Sequence, residues 1–85
     1  MNHPDLERRT EALAARLAAS GHWVSPDGRV TEATAAEVIG VTSRTMARWR
    51  EAGVAPPFYR AGRLTYALRD VLAFLDRQCS TSLAS

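Results

Sequence analysis

The chain has 85 residues, of which 46% are hydrophobic and 24% charged; that length makes one small domain, burying only about 60% of the surface its unfolded form exposes, and the composition excludes collagen-like, mucin-like and wholly disordered chains. All 11 basic residues are arginine, yet the formal net charge is only +2. Residues 42–69 carry six of those arginines (44, 48, 50, 60, 63 and 69) against Glu51 alone, a basic middle that suggests one positive face of the kind a nucleic-acid binder presents.

Residues 3–20 read as an amphipathic helix within an N-terminal unit of residues 1–21. Asn2 or His3 can cap it, and Pro4 suits a first helical position because its missing N–H would have no partner there. Asp5 and Glu7 sit at the positive end of the helix dipole. Leu6, Thr10, Leu13 and Leu17 form one narrow apolar stripe. That stripe either packs on the helix's own domain or serves a dimer or partner surface. Ser20-Gly21 ends the helix. Ser25-Pro26-Asp27-Gly28 is then a strong turn signal, so 22–30 is a tight connection, with a short hairpin possible there and Trp23 expected as a core plug.

Two short helices follow. Thr31 caps the first, Glu32 to Ile39, whose inner side is Ala35, Ala36, Val38 and Ile39; Gly40-Val41-Thr42 breaks it after barely two turns. Thr42 caps the second, Ser43 to Ala52, and Gly53 closes it. Beyond Pro56-Pro57, the segments Phe58-Tyr59-Arg60 and Leu64-Thr65-Tyr66 alternate as two strands around an Ala61-Gly62 turn. Phe58, Leu64 and Tyr66 are the expected inward side, while Tyr59 either covers the core or stacks on a sugar. A last helix runs from about Leu68 to Cys79 on the spacing of Leu68, Val71, Leu72, Leu75 and Cys79. The second unit thus spans 22–79, and 80–85 is expected to be a flexible polar tail.

Two helices cross at roughly 90–120° through a short turn only under certain side-chain conditions. Ala36 supplies the small residue at the contact, Gly40 tolerates positive φ in the turn, and Val41 plugs the gap between the helices. Met46 and Trp49 anchor the second helix, which leaves Ser43, Arg44, Ala47 and Arg48 on its outward face. That face suits duplex DNA. Arg44 and Arg48 can bond bidentately to guanine in the major groove, and the hydroxyls of Thr42, Ser43 and Thr45 can reach bases or phosphates. Ala47 leaves room for close approach, and the helix N-terminus offers free N–H groups to a phosphate. Arg50 is expected to brace the helix or meet backbone. Arg60 and Arg63 at the hairpin tip would lie along a minor groove or its phosphates.

These residues are familiar as a set. Val30 to Thr42, followed by Arg44-Thr45-Met46-Ala47-Arg48-Trp49, resembles the MerR-like winged helix-turn-helix of phage and plasmid excisionases and AlpA-type regulators. Gly53, Pro56-Pro57-Phe58, the Arg-Ala-Gly-Arg tip, Tyr66 and Asp70 to Leu75 continue the likeness in order, over about residues 30–78. The resemblance implies a mainly helical fold with a small β-hairpin wing, a recognition helix in the major groove and the wing in the adjacent minor groove. It further implies loading of copies on repeated DNA sites, for integrase-driven excision or promoter control, with an integrase or other phage protein as partner. Small terminase subunits, which bind DNA for packaging, are similar in this region. Residues 3–20 lie outside the minimal excisionase pattern.

Catalysis finds no support. His3 and His22 stand apart, Cys79 sits on an apolar helical face as a core thiol, and no zinc spacing or Gly-rich phosphate loop is present. Neither an enzyme nor a cofactor is expected. One cysteine, no apolar run of membrane length and no readable secretory signal together point to a cytoplasmic protein with no membrane partner. An alternative of another class is a protein-interaction module that pairs through Leu6, Leu13 and Leu17.

Overall fold

Among the described residues, four helices and three short strands follow in the order α1 (Pro4–Ala19), β1 (Arg29–Thr31), α2 (Glu32–Ile39), α3 (Ser43–Ala52), β2 (Tyr59–Ala61), β3 (Arg63–Ala67) and α4 (Leu68–Ala84). This computed structural model describes residues 4–84, with the side chains of 5–60 and 62–78. The chain is mainly helical with one small antiparallel sheet, ordered β1-β3-β2. No helix among the described residues is long and apolar enough to cross a membrane.

The helix boundaries follow from caps the sequence spells out. Thr31 and Thr42 each sit in extended backbone before a helix, and each hydroxyl accepts from the amide three residues on, at 3.3 Å for Thr34 and 3.1 Å for Thr45. Such caps satisfy a donor that the first turn leaves without a partner. Gly40 closes α2 at φ +97, a left-handed conformation in which its amide and that of Val41 return to the Ala36 carbonyl. A side chain there would be strained whatever the space, so the turn needs its glycine. The expected caps at Asn2 or His3 lie outside the described residues, as does the side chain of Cys79.

Val30, Ala35, Ala36, Met46, Tyr66, Leu68 and Val71 form the buried cluster, with Leu13, Leu17, Val24, Val41 and Trp49 packed against it. The α1 stripe therefore turns toward its own domain. Helix α1 lies on α4, and Arg9 reinforces the contact by a bidentate pair with Asp76 at 3.0 Å to each carboxylate oxygen.

Several expectations need correction. Trp23 does not plug the core; it is 45% exposed. In the non-helical segment after α1, Val24 packs against the core cluster, and its neighbour Trp23 lies outside. The Ser25–Gly28 turn is present, closed by Gly28 N–H to the Ser25 carbonyl and by Ser25 N–H to the Arg29 carbonyl, but no strand precedes it among the described residues and the strand after it pairs along its length with β3. Tyr59 does not cover the core: it stands opposite Thr65, across the sheet plane from buried Tyr66, and is 46% exposed. Phe58 reaches the inward side only at its margin, 6.1 Å from the Tyr66 ring centroid, because Tyr66 already fills the interior. The last helix continues to Ala84, so the backbone of residues 80–84 is helical where a flexible tail was expected.

Candidate nucleic-acid interface

Helix α3 presents two arginines to solvent from one pinned helix; Arg8 and Arg16 of α1, Arg69 of α4 and the hairpin's Arg60 and Arg63 are exposed as well. Met46 is fully buried at its centre and Trp49 lies half-buried, 5.9 Å from the Phe74 ring of α4, so one face is pinned. Helical geometry then forces the opposite face outward. Ser43, Arg44 and Arg48 are exposed, and Thr45 and Ala47 are half-buried along the margin of that face. Among the described residues the side chains of Arg44 and Arg48 make no hydrogen bond, ion pair or ring contact. Arg9, Arg29 and Arg50 are paired, with Asp76, Asp27 and Glu32, whereas Arg8, Arg16 and Arg69 are exposed without a side-chain partner among the described residues, as Arg44 and Arg48 are.

The start of α3 is a donor-rich end. Thr42 is committed to the cap, since its hydroxyl accepts from the Thr45 amide and also lies 3.1 Å from the Thr45 Oγ1. The Met46 amide bonds the Thr42 carbonyl. That leaves the amides of Ser43 and Arg44 without an acceptor inside the helix, aimed along the positive end of its dipole. Exposed Ser43 and Arg44 side chains flank them.

A polar network that sequence reasoning did not anticipate fixes how α3 sits. Glu32, the first residue of α2, accepts at Oε2 from Arg50 Nε and from the Tyr66 hydroxyl, each at 2.7 Å. Arg50 Nη2 reaches the other carboxylate oxygen at 3.4 Å. The three side chains tie the start of α2, the last turn of α3 and the C-terminal part of β3 together. Burial pushes the Glu32 carboxyl up, but the hydrogen bonds from Arg50 and Tyr66 outweigh it and hold the group below the ordinary carboxylate range. The Tyr66 phenol is pushed up, first by burial and then by its bond to Glu32. The bracing role of Arg50 is legible from its place off the outward face; its acid is not, because eighteen residues separate the pair.

The hairpin brings Arg60 and Arg63 close in sequence but not onto one face. Arg60 stands opposite Leu64, and Arg63 opposite Ala61. Because side chains alternate along a strand and directly paired residues share a face, the two guanidinium groups lie on opposite sides of the ribbon. Gly62 makes the turn between them at φ +84, with open space around it. Each arginine lies over an exposed ring: Arg60 is 5.7 Å from the Phe58 centroid and Arg63 is 4.6 Å from that of Trp23.

The chain matches no family model, no curated protein and no solved structure.

Proposed function

We propose that this protein binds double-stranded DNA with sequence preference, as an excisionase-like accessory factor or small phage or plasmid regulator does. In this reading α2, the Gly40 turn and α3 act as a helix-turn-helix, with β2–β3 as its wing. The observation that carries it is the pair Arg44 and Arg48, one turn apart, exposed and unpartnered on a helix whose other face is pinned. An exposed arginine that bonds nothing in its own chain keeps its planar fork of donors for guanine O6 and N7. The amides of Ser43 and Arg44 supply a phosphate contact that sets register without reading sequence. Thr45 and Ala47, on the margin of the face, bound how closely the helix approaches a base pair.

Of the three leucines on which the interaction-module alternative rests, Leu13 and Leu17 pack against the protein's own core, and Leu6 is half-buried. Footprinting on DNA upstream of the protein's own coding region, combined with a salt series, tests the proposal. Protected sites are expected, with log affinity falling linearly in log salt by about 0.9 per phosphate neutralised. Association that does not change with salt, or protection without any boundary, contradicts it.

A further inference from the structure

Three large aromatic side chains stand exposed among the described residues, Trp23, Phe58 and Tyr59, and each has a guanidinium over its ring. One of these pairs is closed on itself. Arg29, over Tyr59, already donates to both Asp27 oxygens and to Thr65 Oγ1. The other two are open: Arg60 and Arg63 have no ion pair among the described residues, though Arg60 feels the field of Glu32. They flank Gly62 on opposite faces of the ribbon.

We propose that the hairpin tip is a two-sided phosphate clamp, with Arg63 held on Trp23 on one face and Arg60 held on Phe58 on the other, taking phosphodiesters from the two strands of duplex DNA beside the segment contacted by α3. The proposal rests on the DNA-binding reading above and names Trp23 and Phe58 as positioning residues. A guanidinium stacked on a ring keeps its N–H edge free, and the edge is the part that meets phosphate oxygens. Stacking also orders a long side chain before binding, so less rotamer freedom is lost when the phosphate arrives. The placement of Trp23 becomes intelligible. It lies in the connection after α1, outside the hairpin, and its exposed ring reaches across to steady the tip. Two cations on opposite faces of one narrow ribbon are arranged to meet the two walls of a groove; two on one face would meet a single strand.

Binding of a fluorescent duplex is measured across a salt series for the full chain and for Arg60→Ala, Arg63→Ala, Trp23→Leu, Trp23→Phe, Phe58→Leu and the Trp23→Leu/Arg63→Ala double variant. Arg60→Ala and Arg63→Ala should each lower the log–log salt slope by about 0.9. Trp23→Leu should weaken binding about two- to fivefold on every duplex sequence, Phe58→Leu likewise, and Trp23→Phe should restore most of it. Added to Arg63→Ala, Trp23→Leu should do nothing more. Losses that multiply in the double variant, a Trp23→Phe protein as weak as Trp23→Leu, or unchanged slopes in the arginine variants overturn the clamp. If Trp23→Leu does not fold, the conservative Trp23→Phe and the arginine variants still decide it. An Arg44→Ala/Arg48→Ala protein separates the two readings. Should it lose sequence preference while the tip variants bind normally, only the clamp falls. Should it bind as the parent does while the tip variants weaken, the clamp stands and the α3 reading falls. A parent chain that binds no duplex overturns both.

Discussion

Replacing Tyr66 with Phe removes one hydroxyl from the centre of the protein and little else. The ring is fully buried and faces Phe58, and its shape is unchanged. What disappears is the 2.7 Å bond from the phenol to Glu32 Oε2. Hydrogen bonds to charged groups contribute about 1.5–3 kcal/mol. Glu32 keeps Arg50 on the same oxygen and is 17% exposed, so water recovers part of the loss and the lower end applies. A loss of about 1.5 kcal/mol lowers the melting temperature of a domain this size by about 6–12 °C. Denaturant and thermal melts followed by circular dichroism measure it. Glu32 has a depressed folded pKa, so its share of stability is present above the unfolded carboxylate value of about 4.3 and is lost as pH falls through the folded value. The gap between parent and variant should therefore be full at neutral pH and shrink in acid below that range. A gap under about 2 °C at neutral pH, or one that stays constant into strong acid, refutes the network as an anchor of α3.

Other substitutions test other joints. Met46→Ala opens a cavity beneath α3 at a fully buried position and should cost about 2–5 kcal/mol, read as a lower denaturation midpoint. Gly40→Ala meets no neighbour within 4 Å, so its cost is backbone alone, about 1–2 kcal/mol from the left-handed φ of +97; no measurable loss there would mean the turn can rearrange. Thr42→Ala should cost about 1 kcal/mol through the lost cap on the Thr45 amide, visible in thermal melts without any DNA. Removing residues 1–21 should lower the melting temperature, since Leu13 and Leu17 pack against the core and Arg9 pairs with Asp76.

Local signals were the legible ones. Thr31 and Thr42 mark two helix starts as caps, and Gly40 and Gly53 mark their ends; the structure has α2 and α3 at the boundaries these residues dictate. The burial of Met46 and the exposure of Arg44 and Arg48 follow from a period near 3.6 on a ten-residue helix. What stayed hidden depends on distant parts of the chain. β1 exists only because β3 lies beside it, as its three residues show too little alternation to announce a strand. The pairing of Glu32 with Arg50 and Tyr66 needs α3 folded back over α2 before it can be seen. Trp23 misleads for a related reason: a large aromatic is a natural core residue, but Tyr66 occupies the interior and Val24 packs on the core from the connection. On the hairpin the same alternation that predicts strands also separates Arg60 from Arg63, a consequence that sequence proximity conceals.

The most direct test is selection of duplexes from a randomised pool by the parent chain and by the Arg44→Ala and Arg48→Ala variants, with affinities for the recovered sequence and for random DNA measured at one fixed salt concentration. The parent should recover a defined motif. Each variant should then bind that motif about 1–3 kcal/mol more weakly and relax its preference at one base pair, with its binding to random DNA changed far less. Recovery of no motif by the parent, or the same motif with equal affinity by both variants, would contradict a reader built on α3.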